Sequence, residues 1–87
     1  MATMVEVTAV TWWQLTYMDD WLKNHTKSAV HVFLNEDPGS IIVGSYNMPT
    51  AVSMLTQAEK IPFGPDTKLR FIFDASLEAV IFKISWG

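Results

Sequence analysis

Few side chains in these 87 residues carry chemistry: His25 and His31, the adjacent pair Asp19-Asp20, Tyr17 and Tyr46, and a scatter of serines, with no cysteine. A histidine titrates near neutral pH, so His31 is the candidate for proton transfer. It shares one side of an alternating run with Ala29 and Phe33, opposite Val30, Val32 and Leu34. Tyr46 ends the next apolar run, and His31 with Tyr46 is the pair that would line a pocket if the chain took a ligand. No catalytic set accompanies them. Ser40, Ser45, Ser53 and Ser76 have no nucleophile-elbow setting, and Gly39, Gly44, Gly64 and Gly87 are too far apart for a phosphate-binding loop. Two histidines without cysteine do not make a metal-ligand set, and His25, near the end of a helix, suits the dipole there. This pattern calls for no catalytic residue, no metal and no cofactor.

Tyr17-Met18-Asp19-Asp20 resembles the metal-binding signature of reverse transcriptases over four residues. In that family the two carboxylates sit in the tight turn of a hairpin. Here they fall inside a capped helical pattern, where neighbours diverge by about 100° and do not chelate together. Both read as part of a solvated face, and no role is transferred to them.

The aromatic residues carry more. Trp13, Tyr17 and Trp21 stand at i, i+4 and i+8 of the first helical pattern and form a flank beside its narrower Leu15, Met18 and Leu22 stripe. With Trp86 they are the candidate protein interface. Composition supports this, because 49% of residues are apolar and 17% charged, against about 25% charged in an average globular domain. So short a chain buries only about 60–65% of its unfolded surface, so part of that apolar complement is expected to face a partner. The net charge of −3 and a pI near 5.1 weigh against nucleic acid. No run approaches a membrane span, the first residues lack the basic start and apolar run expected of a signal peptide, and the cysteine-free, acidic chain reads as cytoplasmic.

These residues need elements to hold them. Thr3–Val10 alternates as a strand, and Thr11 with Gln14 forms a capping box for a helix to about Asn24. Ala29–Leu34 and Ile41–Tyr46 read as a hairpin around a Pro38-Gly39 type II turn. Ala51, Met54, Leu55 and Ala58 stripe a second helix that begins near Pro49 and ends at Pro62. Leu69–Phe73 and Val80–Trp86 read as a final hairpin turning at Asp74–Leu77, although Leu77, Val80, Ile81 and Ile84 also sit at helical spacing. The order β-α-β-β-α-β-β predicts a single α+β domain over residues 1–87. It would be a two-layer sandwich with about five antiparallel strands and two helices on one face, ferredoxin-like with an extra C-terminal strand.

The leading functional expectation is a non-enzymatic interaction module, a homo-oligomer or a small subunit or inhibitor docked on a larger protein. The alternative is a cofactor-free enzyme or ligand-binding protein of the ferredoxin-like dimer type, using His31 and Tyr46.

Overall fold

Thr11 and Gln14 close the capping box that starts the first helix: the Gln14 N–H reaches Thr11 Oγ1 at 3.3 Å and the Thr11 N–H reaches Gln14 Oε1 at 2.9 Å. The computed structural model describes residues 2–8, 10–36 and 39–86. Along them run β1 (Thr3–Thr8), α1 (Trp12–His25), β2 (Val30–Glu36), β3 (Gly39–Tyr46), a 3-10 helix (Met54–Lys60), β4 (Lys68–Phe73) and α2 (Ser76–Trp86). Ala9, Asp37 and Pro38 lie outside the described residues, and the expected Pro38-Gly39 turn falls there; the hairpin it would serve is present, with Glu36 opposite Gly39.

The result is a small α+β domain with a four-stranded antiparallel sheet in the order β1-β4-β2-β3. Three differences from the expectation share one cause. The sheet has four strands, not five. A ferredoxin-like sandwich turns its β2-β3 hairpin inward so that β3 lies between β1 and β2, whereas here β3 takes the outer edge and β4 fills the gap. With β1 on one side and β2 on the other, β4 has no free edge for a hairpin partner. Residues 76–86 therefore form a helix, their β-favouring Val, Ile and Phe notwithstanding. The first helical hydrogen bond runs from the Ala79 N–H to the Ala75 carbonyl at 3.2 Å. The Glu78 carboxylate meanwhile accepts the N–H groups of Lys27 and Ser28, tying the start of α2 to the end of α1.

The expected second helix is shorter and tighter. Val52 pairs with Ser45 through two backbone bonds of 2.8 and 2.9 Å, so residues 50–52 serve as a strap along β3 before Ser53 caps the 3-10 helix. β3 carries a bulge opposite Val32/Phe33, and Gly44 beside it lets the 3-10 helix approach. A Cβ at Gly44 would lie 2.7 Å from Met54 Cγ.

All helices cover one sheet face. Val5, Val7, Val30, Val32, Leu69, Phe71 and Phe73 point into that layer, where Leu15, Met18 and Leu22 of α1 and Ala79 and Phe82 of α2 meet them. Phe82 stands at the centre, its ring 4.6 Å from Phe71 and 5.2 Å from Phe73. α2 lies over β1 and β4, the 3-10 helix over β3, and α1 between them. Among the described residues, no helix is long and apolar enough to cross a membrane.

Candidate functional site

The outer surface of the helical layer is the most unusual part of the molecule. Of the four aromatic residues expected at an interface, Trp13 and Tyr17 face outward, 72% and 61% exposed. Trp21 and Trp86 do not. The Trp21 ring lies 5.7 Å from Trp86 and 5.6 Å from Phe82, and it stacks on His25 at 5.7 Å, so these side chains form the seam between α1 and α2. Their half-buried packing is within the chain.

Residues that the strand reading of the C-terminal run concealed take their place. Leu77, Val80, Ile81 and Ile84 are 71%, 53%, 45% and 81% exposed. At 3.6 residues per turn they form one stripe diametrically opposite Ala79, Phe82 and Trp86. α2 is apolar on two opposite sides, and one of them faces water. The i, i+3, i+4, i+7 spacing was the available signal.

A second feature lies between α1, β3 and the 3-10 helix. Asp19, expected on the solvated face, is 2% exposed. Its carboxylate accepts the Tyr46 hydroxyl at 2.5 Å and the Ser53 hydroxyl at 2.7 Å, and pairs with Lys23 Nζ at 3.0 Å. The Tyr46 oxygen in turn accepts the Met54 N–H at 2.9 Å. Burial, reinforced by the adjacent Asp19 carboxylate, pushes the Tyr46 phenol far above its ordinary pKa, so it stays protonated. A cleft of about 270 Å³ opens onto this cluster, lined by Lys23, Ser45, Tyr46, Asn47, Ala51 and Ser53. The polar groups themselves are engaged with one another, and among the described residues no buried side-chain nitrogen or oxygen lacks a partner. Such a network fastens three elements together. Asp20, by contrast, is exposed and accepts from the Asn24 side chain, so the Asp19-Asp20 pair is divided between interior and water.

His31 lies on the other side of the sheet. It pairs with Ser45 and Ile72 across the ladder, whereas Tyr46 pairs with the buried Val30 and points into the core layer. The two residues expected to share a pocket are therefore on opposite faces. His31 packs its ring 6.5 Å from Phe33 on an open sheet face, where Arg70 and Glu6 bridge β4 and β1 at 3.3 Å. A shallow cleft of about 210 Å³ there is lined by Phe33, Ser40, Arg70 and Ile72. Among the described residues, no three His, Cys, Asp or Glu side chains converge where a metal ion could be held.

Comparison of the chain with protein-family models, with curated proteins and with solved structures finds no match in any of the three.

Proposed function

We propose that this chain is a non-enzymatic docking domain, working as a homo-oligomer or as a small subunit or inhibitor of a larger protein, through the outer surface of its helical layer. The observation that carries this reading is the uninterrupted apolar stripe of α2, four aliphatic side chains in water on a helix whose opposite side is core. Exposed Trp13 and Tyr17 on the neighbouring helix add residue types that dominate interface energetics. The cysteine-free chain suits a reducing, cytoplasmic setting for such a partner. The placement of His31 and Tyr46 on opposite sheet faces supports this reading over one in which the two share a pocket.

The test compares the wild-type chain with two charge insertions, Ile84→Lys on the helical surface and Met4→Lys on the open sheet face, both at exposed positions. Association is read by sedimentation of purified chain and by quantitative co-purification from the native host. Loss of association in Ile84→Lys alone supports the reading. Association that is equal in all three chains, or absent from the wild type in both assays, overturns it.

A further inference from the structure

The outward stripe of α2 reads nearly the same in both directions. About the midpoint between Val80 and Ile81, Leu77 mirrors Ile84, Val80 mirrors Ile81, and Ser76 mirrors Ser85. A two-fold axis level with that midpoint, lying between the helices and normal to the plane holding both, sets α2 antiparallel against the same helix of a second molecule. Leu77 then meets the second copy's Ile84, and Val80 its Ile81. Such self-complementarity is what an isologous interface requires, because each contact must occur twice with the roles exchanged. Antiparallel pairing also sets the N-terminal end of each helix dipole beside the C-terminal end of the other.

The available area fits the same occupant. An aliphatic side chain of this size carries about 60–120 Å² of buriable apolar surface and a large aromatic about 150–250 Å². Scaled by their exposures, the four stripe residues with Trp13 and Tyr17 offer roughly 350–600 Å². A stable interface covers about 800 Å² on each partner, and in homodimers about 65% of that is apolar, close to 500 Å². The stripe points directly away from the core, so two helical layers can meet face to face without moving any element of either fold.

We infer that two copies of this chain form a two-fold dimer in which α2 packs antiparallel on α2 of the second copy, with Trp13 and Tyr17 flanking the contact. This deepens the docking reading, on which it rests, by naming the occupant and the geometry.

The absence of cysteine makes a directional test clean. Leu77→Cys and Ile84→Cys chains are prepared separately and exposed to mild oxidant alone and as an equimolar mixture, with circular dichroism confirming that both are folded. Antiparallel pairing brings residue 77 of one copy beside residue 84 of the other. It leaves the two copies of residue 77 about 10 Å apart along the axis, beyond the roughly 7 Å that a disulfide spans between Cα atoms. The expected result is a covalent dimer in the mixture, in up to half of the molecules, and several-fold less in either chain alone. Equal cross-linking of each chain with itself, or no cross-linking together with a purified wild-type chain that sediments as a monomer up to hundreds of micromolar, overturns the inference. The docking reading outlives that failure if Ile84→Lys still abolishes capture of a different protein from the host, and falls with it if capture is unaffected.

Discussion

α1 and α2 lie side by side on the same sheet face, and they differ in how their outer sides are made. α1 buries Leu15, Met18 and Leu22 and turns Thr16, Asp20, Lys23 and Asn24 to water, with Trp12, Trp13 and Tyr17 as its exposed aromatic exceptions. α2 buries Ala79 and Phe82 and turns Leu77, Val80, Ile81 and Ile84 to water, with Lys83 and two serines as its polar relief. One is a finished surface helix; the other is a core helix with half of its core missing. The contrast points to the proposed docking surface better than overall composition does, because it shows where four exposed aliphatic side chains gather on one helix.

Substitutions on the inner sides should affect folding, and those on the outer side of α2 should affect association alone. The largest effect is expected for Phe82→Ala, which empties the contact with Phe71, Phe73, Trp21 and Trp86 and should cost about 3–5 kcal/mol in denaturant titrations. Tyr46→Phe should cost about 1–3 kcal/mol, since it leaves the Met54 N–H without its acceptor and Asp19 with one donor fewer, Ser53 and Lys23 remaining. This variant also carries a pH signature. The folded state keeps the Tyr46 proton at pH values where an unfolded tyrosine, with a pKa of about 10, has lost it. That contribution is complete below about pH 10 and declines as pH rises further, so alkaline destabilisation should be steeper in the wild type than in Tyr46→Phe. Gly44→Ala should cost about 1–3 kcal/mol by forcing Met54 and the 3-10 helix away from β3. The smallest folding effect, within about 0.5 kcal/mol under dilution that keeps chains apart, is expected for Ile84→Ser, although the same change should weaken association strongly.

Much of the fold was legible where the signal was local. The capping box at Thr11 and Gln14, the period-2 alternation of β1 and β4, and the paired runs of β2 and β3 each depend on neighbours in sequence, and each element forms close to its expected limits. The identity of residues 76–86 was not local. Its spacing fitted a strand and a helix alike, and the choice was made by the insertion of β4 between β1 and β2, a long-range fact. Asp19 escaped for a related reason: a carboxylate one position from a buried methionine reads as solvated until Tyr46 and Ser53, brought from distant parts of the chain, supply its donors. At the surface, aromatic spacing found Trp13 and Tyr17. It could not foresee that Trp21 and Trp86 would meet each other, because that required α2 to be a helix.

Sedimentation velocity of the purified chain from about one to several hundred micromolar, run beside Ile84→Lys, bears most directly on the exposed stripe of α2. The expected result is a wild-type chain that passes from monomer to dimer across that range while the folded variant stays monomeric throughout. A wild-type chain that remains monomeric at every concentration, or a variant that associates as well as the wild type, would contradict the assignment of this helix to self-docking.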